Sequence, residues 1–265
     1  MRPYYDWAGI ALLHGDVRDC LRSLPAESVQ CCITSPPYYS LRDYNLPPSI
    51  WGGREGCEHE WGEESYQRRS NDGKADDCKQ VTNKGSNGRD VPVHHAFCRH
   101  CNAWRGSLGL EPTPELYVEH MVEVFREVKR VLRDDGVCWV NLGDSFASQG
   151  GPIRAGGGIN DILGGKKETQ DYNRSRHAPS GLKPKDMVGM PWRVAFGLQA
   201  DGFYLRSDII WAKPNPMPES VTDRPTKAHE YLFLLSKQRH YFYDQIAILE
   251  PVSANTHLRL SQNLA

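Results

Sequence analysis

The chain has 265 residues, with 32 basic and 33 acidic side chains and a formal net charge of −1. Hydrophobic residues make up 39% of it, which is enough for the core of one α/β domain with an insertion. No apolar run approaches the roughly 20 residues of a membrane span, so we expect no membrane segment. The near-zero net charge argues neither for nor against nucleic-acid binding.

The compartment is predicted from the start of the chain and its eight cysteines. Residues 1–15 lack the basic start and the long apolar stretch of a signal peptide. We therefore expect a cytoplasmic protein with reduced cysteines, in which clustered cysteines favour metal ligation over disulfides.

The first predicted elements are a strand, a helix and a second strand. Residues 10–13 predict a short buried strand, and residues 19–24 predict a short helix closed by Pro25. Val29–Thr34 is an apolar run that predicts the next strand, and a proline-rich turn follows it. In open α/β sheets, ligands bind at the carboxyl ends of such strands.

The later part of the chain continues this alternation. Residues 113–133 predict the clearest helix, with Thr113 as its cap and Pro114 in its first turn. Further elements are predicted at residues 137–142 (strand), 187–200 (helix), 204–211 (strand), 230–235 and 241–243 (two strands around a tight turn). This order predicts an α/β fold with an open, mostly parallel twisted sheet, helices on both faces and a late antiparallel hairpin.

Two segments interrupt this pattern. Residues 45–106 are rich in Gly, Asn, charge, Cys and His, and they predict a small Cys/His-rich insertion. Residues 146–185 are rich in Gly, Ser and Arg and predict a mobile loop. The predicted core therefore consists of residues 1–44 and 107–250, and residues 251–265 begin a carboxyl-terminal region.

The turn after Val29–Thr34 carries the most information about chemistry. It reads Ser35-Pro36-Pro37-Tyr38. Because proline has no N–H, its carbonyl can accept hydrogen bonds without a competing donor. These carbonyls and the Ser35 hydroxyl suit the amino group of a flipped-out DNA base, which could stack on Tyr38 while a methyl group moves from S-adenosylmethionine to its nitrogen. The alternative is a proline turn whose tyrosine closes the core.

At these residues the chain resembles the bacterial and phage DNA amino-methyltransferases in which the catalytic motif precedes the cofactor motif. The similar blocks are residues 12–16 (LLHGD), 35–38 (SPPY), 40–44 (SLRDY), 136–145 (GVCWVNLGDS), 192–203, 210–216 (IWAKPNP) and 229–237 (HEYLFLLSK). The resemblance implies a Rossmann-like methyltransferase fold, S-adenosylmethionine as cofactor, double-stranded DNA as substrate and a restriction endonuclease in the same system.

The resemblance also implies roles for individual residues. The implied catalytic residues are Ser35, Pro36, Pro37 and Tyr38; the cofactor-binding ones are Asp16 and Thr34; the DNA-binding ones are Tyr39, Arg42, Tyr44 and Lys213. A helix cap is an equal alternative for Asp16. In this family, Ser at the first motif position accompanies cytosine N4 methylation more often than adenine N6 methylation, which favours cytosine and leaves adenine open.

Cysteines predict a second site and exclude another reaction. Cys57, His59, Cys98 and Cys101 have the ligand types of a structural Cys3His zinc site. Rival fourth ligands are Cys78, His94, His95 and His100, and the alternative is a disordered loop with incidental cysteines. Cytosine carbon-5 methylation needs a cysteine nucleophile, usually in a Pro-Cys dipeptide, and the sequence has none.

One family motif is missing. The family binds its cofactor at an aromatic-x-Gly-x-Gly turn, and the sequence contains no such turn. The chain therefore looks like a carboxyl-terminally incomplete methyltransferase, and we expect weak or absent binding of S-adenosylmethionine. The competing hypotheses are an inactive zinc-ribbon DNA-binding protein and the same chemistry on RNA or protein amino groups.

Overall fold

The computed structural model describes residues 3–44, 46–62, 65–68, 90–147 and 181–251. The strands in these ranges are β1 (Tyr5–Trp7), β2 (Ile10–Leu12), β3 (Val29–Thr34), β4 (Ser49–Trp51), β5 (Ser65–Arg68), β6 (Asp90–Phe97), β7 (Trp104–Gly106), β8 (Leu132–Leu142), β9 (Tyr204–Ala212) and β10 (His229–Ser236). The helices are α1 (Val17–Arg22), α2 (Pro114–Val131) and α3 (Met190–Ala200), with a short 3-10 helix at Ile246–Ile248.

The central sheet has the strand order β3-β8-β10-β9. Strands β3 and β8 are parallel, and β10 is antiparallel to both of its neighbours. The predicted α/β class is confirmed, and the sheet described by the structure is mixed, with one parallel pair. Thr34 pairs with Val140, and Tyr231 pairs with Leu142, so the end of β3 lies beside the end of β8 and the start of β10.

Helix α2 forms as its sequence predicts. The Thr113 hydroxyl accepts a hydrogen bond from the Leu116 amide at 3.2 Å, and Pro114 occupies the first turn. The helix buries an apolar face that includes Met121, Phe125 and Val128. That face and α3 cover one side of the central sheet, where they meet the buried sheet residues Cys138, Val140, Leu142, Phe233 and Leu235.

The other side of the sheet is open within the described ranges. Ile33 is 78% exposed and Trp211 is 57% exposed. Helix α1 joins the same layer as α2 and α3, since Leu21 packs against the core that they share. The helices of the described residues therefore lie on one face of the sheet, whereas the sequence predicted helices on both faces.

Two predicted strands differ from the structure: the first forms but is exposed, and the second does not form. Ile10–Leu12 is exposed and pairs with Tyr5–Trp7 in a two-stranded hairpin, so it is not a buried strand of the central sheet. Residues 241–243 form no strand. Strand β10 pairs instead with β8 and β9, and because a strand has only two edges, no edge is left for residues 241–243.

Residues within the predicted insertion form an antiparallel sheet with the order β4-β7-β6-β5. Trp51 pairs with Trp104 across β4 and β7, and both side chains join the main hydrophobic core. This sheet is therefore packed on the domain that contains the central sheet, through Trp51 and Trp104. Most of the predicted mobile loop, at 148–180, and Cys78 lie outside the described residues. Among the helices that the structure describes, none is long and apolar enough to cross a membrane.

Candidate active site and metal centre

Hydrogen bonds join the proline turn to the core of the protein. The Tyr117 hydroxyl, on α2, donates a hydrogen bond to the Pro37 carbonyl at 2.7 Å. The Ser40 amide donates to the Gly109 carbonyl at 2.7 Å just after the turn. Of the two proline carbonyls proposed as acceptors from the sequence, that of Pro37 thus already has a buried donor. Ser35, by contrast, is exposed and accessible to a ligand.

Three strands bring a cluster of oxygen atoms together beside this turn. The Tyr38 hydroxyl donates to Asn141 Oδ1 at 2.5 Å, and Glu230 Oε2 lies 3.2 Å from the same hydroxyl. The Ser35 Oγ lies 3.3 Å from both the Tyr38 hydroxyl and Asn141 Oδ1. Asn141 comes from β8 and Glu230 from β10, so residues separated by up to 192 positions meet at the end of β3. We call Ser35, Tyr38, Asn141 and Glu230 the acceptor cluster.

The acceptor cluster carries a negative charge at neutral pH. Burial raises the pKa of the Glu230 carboxyl, but hydrogen bonding and attraction to Lys213 outweigh it and the net pKa is lowered. Burial and the neighbouring Glu230 charge raise the pKa of Tyr38, although the hydrogen bond from Ser35 opposes this. Glu230 is therefore ionised while Tyr38 keeps its proton. Lys213, which was predicted to contact DNA, forms an ion pair with Glu230 and remains 41% exposed, so its predicted role stays a prediction.

The ring of Tyr38 packs closely on the backbone of Gly143. A Cβ atom at Gly143 would lie 2.6 Å from Tyr38 Cε2 and 2.9 Å from Cδ2, closer than such atoms approach. Glycine at this position lets the ring lie flat against β8. The neighbouring Tyr39 is only 6% exposed, and its ring lies 5.6 Å from that of Tyr117. The prediction that Tyr39 contacts DNA is therefore corrected, because this side chain belongs to the core.

An open groove of about 540 Å³ lies next to the acceptor cluster on the uncovered face of the sheet. Its lining residues are Ile33, Thr34, Ser35, Trp139, Asn141, Trp211 and Leu232. Most of this lining is apolar, with Ser35 and Asn141 as polar groups at one side. A planar aromatic ligand could stack against the indoles while its polar edge meets these two side chains. Thr34, predicted to bind the cofactor, does line this groove.

Asp16, the other predicted cofactor-binding residue, is fully occupied by the protein. Its Oδ1 accepts from the amide and the Nε of Arg18, and its Oδ2 accepts from Arg18 Nη2 and the Ser49 hydroxyl. A carboxylate offers about four lone-pair sites, so none remains for a cofactor hydroxyl. Asp16 is the N-cap of α1, which is the alternative that the sequence left open.

The remaining predicted DNA-binding residues lie on the segment that follows the turn. Arg42 is exposed, and Tyr44 is 54% exposed. Both side chains are accessible to a ligand bound near the turn. Their predicted roles stay predictions.

Four side chains of the insertion converge on one point. The ligand atoms of Cys57, His59, Cys98 and Cys101 all lie within 4.8 Å of one another. The sulfurs of Cys57 and Cys98 are 3.9 Å apart, and Cys101 Sγ is 3.4 Å from His59 Nδ1. Tetrahedral zinc with Zn–S bonds of about 2.3 Å would separate two sulfurs by about 3.8 Å, and sulfur from nitrogen by about 3.5 Å. The four residues therefore fit a zinc ion.

The backbone around this metal cluster is shaped to bring the ligands together. Asn102 has a positive φ of 58°, and its amide donates to the Cys98 carbonyl at 2.9 Å, which closes the Cys98–Cys101 turn. A Cβ at Gly53 would lie 2.9 Å from Cys101 Sγ, so only glycine lets the facing loop approach this sulfur. Burial opposes ionisation, but hydrogen bonds from His59 and the His100 amide lower the pKa of the Cys98 thiol to about 6.

Sequence reasoning missed four residues of the candidate active site: Asn141, Glu230, Tyr117 and Gly143. Asn141 interrupts the apolar run of residues 137–142, and Asn141, Gly143 and Glu230 lie within the blocks 136–145 and 229–237 that resemble the methyltransferase family. Tyr117 falls within an amphipathic helix, where an aromatic residue is an ordinary core choice.

Comparisons with known proteins place this chain among DNA methyltransferases. A family model described as DNA methylase, of the N6/N4 type, matches residues 29–263. The Type II methyltransferase M.SmaI of Serratia marcescens is 38% identical over 248 residues, covering 91% of this chain and 61% of the relative. M.Cfr9I of Citrobacter freundii is 37% identical over 242 residues, covering 91% and 59%.

Solved structures align more distantly. The PvuII DNA methyltransferase (cytosine-N4-specific) shares 14% identity at a TM-score of 0.48, covering 94% of this chain and 58% of that one. The chain spans about three fifths of the length of the curated relatives that it matches.

Proposed function

This chain belongs to the N6/N4 DNA methylase family, and we propose that it transfers a methyl group from S-adenosylmethionine to an exocyclic amino nitrogen of a flipped-out base in double-stranded DNA. The observation that carries the proposal is the acceptor cluster at the end of β3, beside the apolar groove. Such a cluster suits a substrate that presents N–H donors and develops positive charge as it reacts.

The proposed chemistry depends on hydrogen bonds to the amino group. The nitrogen lone pair of a base amine is delocalised into the ring, and acceptors that hold its two N–H bonds favour the localised form. S-adenosylmethionine would supply an electrophilic methyl group on a sulfonium. The amino nitrogen would attack this methyl directly, so that the N–C bond forms as the C–S bond breaks, S-adenosylhomocysteine leaves with the electron pair, and the nitrogen loses a proton to solvent. Ser35, the Pro36 carbonyl and the Glu230 carboxylate would stabilise the positive charge on that nitrogen.

We propose cytosine N4 as the favoured position, with adenine N6 as the alternative. The support from the sequence is Ser35, since this family more often has Asp at that position when adenine is the target. The structure adds that Ser35 is neutral while the negative charge of the site comes from Glu230, on another strand. The base would stack on Tyr38, whose hydroxyl the acceptor cluster holds in place.

Substrate and partners are proposed on the same grounds. Arg42 and Tyr44 are exposed beside the turn and are proposed to contact DNA. Because the relatives are named Type II methyltransferases, we also propose a restriction endonuclease of the same system as a companion. Lys213 is proposed to hold Glu230 in place, because the two side chains form an ion pair, and its contact with DNA stays a prediction.

A second part of the proposal concerns zinc. We propose that Cys57, His59, Cys98 and Cys101 bind one structural Zn2+. The support is their convergence within 4.8 Å and two separations, 3.9 Å between the Cys57 and Cys98 sulfurs and 3.4 Å between Cys101 Sγ and His59 Nδ1, that match tetrahedral zinc. A closed set of four protein ligands leaves no position for substrate, so the ion would stabilise the fold of the insertion and take no part in the reaction.

The proposed activity is tested by nucleoside mass spectrometry on DNA from a methylation-deficient host that expresses the protein. Any methylated base would overturn the expectation of weak or absent S-adenosylmethionine binding, which rests on the missing aromatic-x-Gly-x-Gly turn. The proposal predicts 4-methylcytosine. Tyr38→Ala should abolish it, whereas Tyr204→Ala, at an exposed position on β9, should not. 6-Methyladenine would overturn the choice of base. The absence of any methylated base, from folded protein, would overturn the proposal for these residues, and calorimetry with S-adenosylmethionine would then show whether cofactor binding is the missing step.

A further inference from the structure

A continuous path of buried contacts joins the metal cluster to the catalytic turn. It begins at Trp104, three residues after Cys101, and at Trp51, its partner across β4 and β7. Each of these two indoles stacks against the His120 imidazole of α2, with ring centroids 5.2 Å and 4.7 Å away and interplanar angles of 24°. The insertion therefore contacts the domain of the central sheet through stacked pairs of flat rings.

The path continues through a buried carboxylate. His120 Nδ1 lies 2.9 Å from Glu111 Oε1, and the two side chains are 5% and 0% exposed. The other oxygen of Glu111 accepts a hydrogen bond from the Gly109 amide at 2.8 Å. The carbonyl of the same glycine accepts from Ser40, two residues beyond Tyr38. Gly109 also lies against the turn, because a Cβ there would be 3.1 Å from both Pro37 Cβ and the Tyr38 carbonyl.

This arrangement is unusual for a residue whose only task is to fill the core. A carboxylate with no exposed surface is costly unless its oxygens are paired, and apolar side chains would pack the same space more simply. Both Glu111 oxygens are paired, one with the ring that the tryptophans hold and one with the backbone that holds the turn. Buried polar networks of this kind fix one geometry of the backbone more strictly than apolar packing does.

We propose that Glu111 and His120 are positioning residues that transmit the order of the zinc-bound insertion to the Ser35–Tyr38 turn, so that metal loading sets the rate of methyl transfer. The proposal rests on the proposed function for its effect on rate. The coupling itself needs the zinc site proposed above but not the methyltransferase activity, because it acts on the backbone of residues 37–41. Neither side chain reaches the groove, so neither is a catalytic residue.

The test combines metal removal with substitution, and it reads backbone order directly. Hydrogen–deuterium exchange of peptides covering residues 35–44 is measured for the zinc-loaded protein, for the chelator-treated protein and for Glu111→Ala in both states. We expect exchange at Ser40 and Leu41 to quicken on the order of tenfold when either the metal or the Glu111 carboxylate is lost. Removing the metal from Glu111→Ala should add little, because both changes break one path.

Controls separate coupling from general damage. Glu119→Ala changes an exposed residue of α2 next to His120 and should leave both exchange and its metal response unchanged. Glu111→Gln, which keeps an acceptor for Gly109, should retain most of the protection, and it also serves if Glu111→Ala does not fold. Independent, additive effects of metal and Glu111, or unchanged exchange at Ser40 after chelation, would overturn the coupling.

Activity adds a second readout. Where the protein methylates DNA, Glu111→Ala should lower kcat on the order of tenfold with KM for DNA unchanged, since the turn and not the binding surface is disturbed. A protein that methylates nothing but shows the coupled exchange would refute the proposed function and leave the coupling intact. Methylation activity without coupled exchange would support the proposed function and refute the coupling.

Discussion

Tyr117→Phe removes a single oxygen atom and tests whether the core holds the catalytic turn. The Tyr117 side chain is fully buried, and its hydroxyl donates to the Pro37 carbonyl at 2.7 Å. Burial raises the pKa of this phenol far above its usual value, with the charge of Glu111 acting in the same direction. The hydroxyl therefore remains a protonated donor throughout the pH range in which the protein is handled.

The expected magnitude follows from what the substitution leaves behind. Phenylalanine keeps the ring, so the change in packing is small and the main cost is a buried carbonyl without its donor. Such a group costs about 1–3 kcal/mol, and we expect the free energy of unfolding to fall by that amount. The measurement is urea denaturation, with a lower midpoint and an unchanged slope. Because Pro37 lies next to Tyr38, the methylation rate should fall as well, by roughly tenfold.

Tyr204→Phe is the matched control, because Tyr204 is 43% exposed at the start of β9 and its substitution should change neither quantity. If Tyr117→Phe unfolds at the same urea concentration as the unsubstituted protein and methylates DNA at the same rate, the hydrogen bond to Pro37 does not hold the turn. The account of how α2 supports the site would then be wrong.

Three further predictions concern other parts of the molecule. Gly143→Ala places a Cβ 2.6 Å from the Tyr38 ring, so steady-state assays should show methylation reduced at least tenfold, with a loss of about 1–3 kcal/mol in denaturation. Partial burial raises the pKa of Asp16, but hydrogen bonds from its neighbours outweigh burial and hold it at about 2. Its stabilising effect should thus be complete above about pH 5 and lost progressively as the pH falls through about 2, so the unfolding midpoints of the unsubstituted protein and Asp16→Asn should converge in acid. Cys101→Ser should lose bound zinc in elemental analysis and melt at a lower temperature, whereas Cys31→Ser, at an exposed position on β3, should keep both.

The sequence predicts those elements whose ends carry local chemistry. Helix α2 begins where Thr113 and Pro114 indicate, because a cap and a first-turn proline act within a few residues. Strand β3 and its turn are predicted for the same reason, since an apolar run meets two prolines. The Cys and His spacing similarly predicted four side chains that the structure brings within 4.8 Å.

Features that depend on partners distant in sequence are beyond such reasoning. Residues 10–12 are apolar and extended, so they were predicted to be a buried strand, but they pair with the adjacent β1 and not with the central sheet, and they are exposed. Residues 241–243 are all aromatic, a composition that favours a strand, yet both edges of β10 are already paired. Tyr39 looks like part of a binding surface next to Tyr38, and only the position of α2 shows that it is in the core.

The candidate active site also combines residues that the local motif predicts with residues that come from distant strands. The local motif supplies the turn, a neutral hydroxyl and an aromatic ring, and none of these carries charge. The charge comes from Glu230 on β10, and the amide that the Tyr38 hydroxyl contacts comes from Asn141 on β8. Because β10 runs antiparallel to β8, the start of one strand meets the end of the other at Leu142 and Tyr231. The antiparallel strand therefore delivers a carboxylate to the edge where a parallel strand ends, which a wholly parallel sheet could not do with a residue at the start of a strand.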